Sequence, residues 1–155
     1  MSALTKPKQR RVRVRSLAQI LHEVDRLRPA HRSLRRWTLA QVCRHLADTI
    51  HGSMDGFDMT RHADKRPWKR RVLLGFTFAF GIPEGVVVDP RLTPPDGVSL
   101  DEAVIALRDA LARYQRHSGP LFPHPLFGRL SRRAWDRLHR VHAAHHLGFI
   151  APTLG

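Results

Sequence analysis

The sequence predicts an all-α fold: a four-helix bundle with an extra short helix, long connections and a basic N-terminal tail. Three observations predict it. Apolar residues recur at helical spacing over several long stretches. Two of these stretches open with a capping box, Thr38 with Gln41 and Ser99 with Glu102, in which each side chain satisfies a backbone donor of the first turn. No second strand signal offers any extended segment a partner. A length of 155 residues with 42% hydrophobic content suits one domain with its own core, without disulfide staples.

Residues 1–15 read as a mobile basic tail, and residues 16–155 as the single bundle domain. A first helix begins at Ser16, with Leu17, Ile20, Leu21, Val24 and Leu27 on one face, and stops near Pro29. The second follows Thr38, with Trp37 and Val42 as a hydrophobic staple and a stripe of Leu39, Val42, Cys43, Leu46, Ile50, Met54 and Phe57. Between Pro67 and Phe80, Trp68, Val72, Leu73, Phe76 and Phe80 suit a helix that is apolar on most sides, although the Phe-Thr-Phe alternation also suits a strand. Residues 81–97 are rich in Pro and Gly, and Val86 to Val88 read as extended loop. The fourth helix follows Ser99 through Leu100, Ala103, Val104, Leu107, Leu111 and Tyr114. A turn-rich crossing from Ser118 to Gly128 leads to a last helix from Ser131 to about Ile150, just before Pro152.

The formal net charge of +14 points to a polyanion or to solvated helix faces. Of the 27 cations, 23 are arginine, a skew that fits codon bias as well as a binding surface. Lys6, Lys8, Arg10, Arg11, Arg13 and Arg15 form the best basic arm, but no recognised nucleic-acid motif accompanies it. No stretch reaches the roughly 20 apolar residues of a membrane span, and no secretory signal is seen, so a cytoplasmic location without a membrane partner is expected. Cys43, the single cysteine, reads as a small core residue.

Histidine carries the functional argument. Eleven are present, and His124, His139, His142, His145 and His146 fall together near the C-terminus. At about 100° per residue, Trp135, Leu138, Phe149 and Ile150 mark the apolar face of the last helix, with His142 and His146 near its centre. His139 lies slightly aside, His145 at the edge, and Arg133, Arg137 and Arg140 opposite. Two imidazoles one turn apart on a buried face need hydrogen-bond partners, or they can ligate one metal together. A third ligand must come from another helix. His45, bordering the stripe of the second helix beside Val42 and Thr49, is favoured over His51, His22 and His117. His124, in a Pro-flanked turn, reads as a structural cap ahead of a pocket residue. Asp48, Asp55 and Asp58 read either as acceptors that orient a ligating imidazole or as solvated charges, and no nucleophile–His–acid triad is evident.

The run from Thr38 to Asp48 resembles the second helix of the DinB/YfiT-like superfamily of metal-dependent four-helix bundles. His142-Ala-Ala-His145-His146-Leu-Gly148 is similar to that superfamily's C-terminal signature, and His124 to Gly128 with Trp135 resembles one branch of it, a domain-of-unknown-function family. The likeness spans residues 16–152. It implies metal ligands at His45, His142 and His146, a divalent ion such as zinc or nickel, and thiol transfer or hydrolysis with a low-molecular-weight thiol. A small-molecule substrate and a homodimer are compatible with it. Where many members carry Arg-Gly-Gln after the histidine pair, this chain has Leu147-Gly148-Phe149, so those polar contacts are lost. Two other readings stand beside the enzyme: a metal-binding bundle without catalysis, and a basic helical nucleic-acid binder.

Overall fold

Helix starts are set by local chemistry, and among the described residues four of the five follow a recognisable signal. The structure, a computed structural model, describes residues 8–57, 66–83 and 92–153. Helix α1 runs Ala18–Leu27 without a side-chain cap. Helix α2, Leu39–Asp55, has the complete capping box, with Thr38 accepting from the Gln41 amide and the Gln41 side chain accepting from the Thr38 amide. Helix α3, Pro67–Phe80, begins with proline in its first turn, where a missing N–H costs nothing. Ser99 caps α4 (Leu100–Arg116), and Ser131 caps α5 (Arg132–Leu147). Val86 to Val88 lie outside the described residues.

The chain is mostly helical, but a small sheet was not expected. Strand β1 (His31–Ser33) pairs antiparallel with β2 (Ile150–Pro152), with Arg32 opposite Ala151. Flanking bonds from Leu34 N to Phe149 O (2.7 Å) and from Thr153 N to Ala30 O (3.1 Å) extend the ladder. The last helix therefore ends at Leu147, not near Ile150: Gly148 closes it, and Ile150 is wholly buried as a strand residue.

One core joins α1, α2, α4 and α5. Helix α2 packs mainly along α4, and α5 lies on α2 and α1. Val24, Leu27, Leu39, Leu107 and Leu147 are fully excluded from water, each worth about 1.5–3 kcal/mol of transfer free energy. Cys43 is buried among them, as expected, and burial pushes its thiol up to about 12. Helix α3 behaves differently. Only Thr77 is buried along its length, and Trp68, Val72, Leu73, Phe76 and Phe80, the residues that predicted it, are all exposed.

The N-terminal segment also departs from expectation. Residues 1–7 lie outside the described set, but residues 8–15 are not a free tail. The Arg10 amide donates to Gly148 O at 2.8 Å, its Nε donates to Ile150 O at 3.1 Å, and its guanidinium pairs with Glu23. Gln9 Nε2 donates to His145 O at 2.9 Å, and Arg140 Nη1 donates to Arg15 O at 2.9 Å. Arg11, Arg13 and Arg15 point outward while Val12 and Val14 are half-buried, an alternation of period two. Gly148 makes room for this segment: a β-carbon there would sit 2.7 Å from Arg10 O and 3.0 Å from the Gln9 side chain.

Candidate metal centre

Three histidines from two helices converge where α5 crosses α2. His142 and His146 sit one turn apart on α5, and His45 faces them from α2. His142 Nε2 is the hub, 3.1 Å from His45 Nε2 and 3.0 Å from His146 Nε2. The three ligand atoms lie within 4.8 Å of one another. His45 is 2% exposed and His146 9%, while His142 is partly buried. Of the described residues, these three are the histidines brought together in a metal-competent arrangement.

The chemistry of this donor set fits a cation. Each Nε2–Nε2 contact can hold at most one proton, so three facing nitrogens cannot all be donors. Burial lowers the pKa of His45, holds His142 well below the ordinary value, and brings His146 down to about 2. All three rings are therefore neutral at pH 7, the form that ligates metal. His45 Nδ1 lies 2.9 Å from Leu92 O, an acceptor only, so Nδ1 carries the proton and Nε2 presents its lone pair to the cluster. No fourth His, Cys, Asp or Glu completes the group among the described residues. Trp37 walls one side, stacked on His146 at 5.2 Å and tilted against His45 at 4.8 Å, where a staple onto α2 is expected from the sequence.

Five other described histidines stand in separate places. His139 is buried, 3.3 Å from Ser53 Oγ, stacked on Trp135 and edge-on to Tyr114. His145 lies at the cluster's rim against His146 and Phe149. His51 meets Arg113, and His117 lies 3.2 Å from Pro120 O. His124 has a structural role, but it closes its own turn and does not cap the following helix: its Nδ1 accepts from the amides of Leu126 and Phe127, its backbone bridges to Gly128, and Ser131 caps α5. Burial lowers its pKa to about 4. It also lines a cleft of about 1310 Å³ with Phe57, Arg70 and Arg129, away from the three histidines.

Asp48 and Asp55 pair with arginines and orient no ring of the cluster. Asp48 pairs with Arg44 at 2.9 Å and Asp55 with Arg113 at 2.5 Å, while Asp58 lies outside the described residues. The group that does orient a ring, Leu92 O, was missed. It is a backbone carbonyl in a Pro-rich connection, and no side-chain pattern announces it.

Fold and site together define a mostly helical protein with a buried three-histidine cluster. The profile of the protein family of unknown function DUF1569 matches residues 6–153, and the chain belongs to that family. The match takes in the Arg10 segment and both strands as well as the helices. No curated protein and no solved structure matches the chain.

Proposed function

We propose that this protein is a metal-dependent enzyme built on a DinB-like four-helix bundle, with His45, His142 and His146 holding one divalent ion, zinc or nickel. The observation that carries the reading is the convergence of three neutral imidazoles on one point, with the His45 tautomer set by Leu92 O. Three nitrogen ligands without a fourth protein ligand among the described residues match the donor count of catalytic sites, whereas structural zinc sites are closed by four. When bound, the ion would act as a Lewis acid and lower the pKa of a thiol or water in the remaining position.

The protein's own groups do the rest. The Leu92 carbonyl keeps the Nδ1 proton on His45 and so keeps Nε2 available. Trp37 shields the His45 and His146 rings from water on one side. His145 stands next to His146, its ring centroid 5.0 Å away, at the rim where a small-molecule substrate such as a low-molecular-weight thiol would approach. Nucleic-acid binding has less support: Arg10 of the basic arm is committed to Glu23, Gly148 and Ile150, which leaves Arg11, Arg13 and Arg15 as its outward cations beside Lys8 among the described residues.

Metal content of untagged protein by plasma mass spectrometry tests the proposal. About one equivalent of a divalent ion, lost in the His142→Ala/His146→Ala variant, is the expected result. Wild-type protein that is empty as purified and stays thermally unchanged after adding zinc or nickel would sink it.

A further inference from the structure

Helix α3 is oriented with its greasier side toward water. Five of the large hydrophobic side chains that stand exposed lie on this one helix: Trp68 (61% exposed), Val72 (64%), Leu73 (47%), Phe76 (49%) and Phe80 (76%). Trp68, Val72, Phe76 and Phe80 follow one another at four-residue steps and form a single stripe, with Leu73 beside it. The opposite side, through Leu74, Thr77 and Phe78, is the one that meets the body, where Arg137 donates to Phe78 O at 3.1 Å and lies over the Phe78 ring. Isolated exposed hydrophobics need no explanation, but a contiguous aromatic stripe does.

Charge decides what covers it. The stretch from Arg66 to Pro83 contains four cations and no acid. Lys69 and Arg71 flank the stripe in the first two turns, while Arg70 turns toward Gly128 in the cleft, and none of the three has a carboxylate partner among the described residues. Lys69 Nζ lies 5.6 Å from the Trp68 ring, so the cationic and aromatic groups share one surface. A second copy of the same face would bring only cations to meet these cations. An anionic surface would neutralise them.

We infer that α3 is an interfacial anchor that docks this protein on an anionic lipid bilayer, with the Trp68–Val72–Phe76–Phe80 stripe entering the headgroup boundary and Lys69 and Arg71 meeting lipid phosphates. Aromatic residues on one face with lysine and arginine around it are the composition of helices that lie in the membrane plane. Helix α3 has 14 residues, and no helix of the described structure is long and apolar enough to cross a membrane. The helix therefore lies on the bilayer. This inference is independent of the metal centre.

Co-sedimentation of the full chain with phosphatidylcholine vesicles, with and without phosphatidylglycerol, tests it. Binding to the anionic vesicles, weakening with salt, is expected. Val72→Ser/Phe76→Ser should reduce it by roughly tenfold or more while leaving the melting temperature unchanged, because both side chains are already exposed. Lys69→Gln and Arg71→Gln should each weaken it about fivefold. Absence of binding to either vesicle overturns the inference, as does undiminished binding by the serine variant. A dimer in solution that Val72→Ser/Phe76→Ser converts to monomer also overturns it, and assigns the face to a second copy.

Discussion

Acid should destabilise this protein partly through one residue, His139. Its ring is 4% exposed, sandwiched by Trp135 and Tyr114, with the Ser53 hydroxyl 3.3 Å from Nε2. No carboxylate among the described residues touches it to compensate a positive charge, and burial holds its pKa at about 3. The sign follows from which state binds protons. Unfolded chain takes up a proton near pH 6.5 and the native state does not until about pH 3, so stability is complete above 6.5 and falls as pH drops between those values. Each unit is worth about 1.36 kcal/mol. At pH 4.5, two units below the ordinary value, His139 alone should remove about 2.7 kcal/mol, against a typical total of about 5–15. Urea unfolding of wild type and His139→Gln, in chelator to keep metal out, measures this. The stability difference between the two should shift by about that amount between pH 7.5 and pH 4.5. Parallel pH profiles would refute the reasoning, since every other titrating group is common to both proteins.

Zinc at a hundredfold excess over its dissociation constant should add about 2.7 kcal/mol to the native state. For a chain of this length the midpoint would rise by about 5–11 °C. His142→Ala should abolish the rise in a thermal scan, because His142 Nε2 is the atom common to both close contacts. Gly148→Ala should cost about 1–3 kcal/mol in denaturant unfolding, since the added methyl collides with Arg10 O. Removing residues 1–11 should erase that difference between alanine and glycine. Thr38→Ala should lose about 0.5–2 kcal/mol in the same assay, because it removes the acceptor for the Gln41 amide.

Several of these features were legible in advance because their causes are local. The caps at Thr38, Ser99 and Ser131 act within one turn, so a start signal in sequence is a start in space. The placement of His142 and His146 on one helical face follows from helical pitch alone. Other signals were present and misread. Val12 and Val14 alternate with arginines, which announces a one-sided extended segment, yet the charge of the region suggests a loose tail. The three-residue strands gave too short a pattern to register, since period two needs several repeats to be distinguished from chance.

The sequence by itself determined the helices, their capped starts, and that His142 and His146 share one face of α5, but it set His139 aside although that ring is buried more deeply than His142. His45 was already favoured as the partner of that pair, and the structure brings it to His142 across 97 residues; tertiary structure alone decided that Leu92 O selects its tautomer and that β2 closes on β1. It also decided that α3 keeps its aromatic stripe in water. The physical division is one of range. Backbone dihedrals, caps and pitch act within a turn or two, whereas a convergence of side chains depends on how whole helices bury their faces against one another.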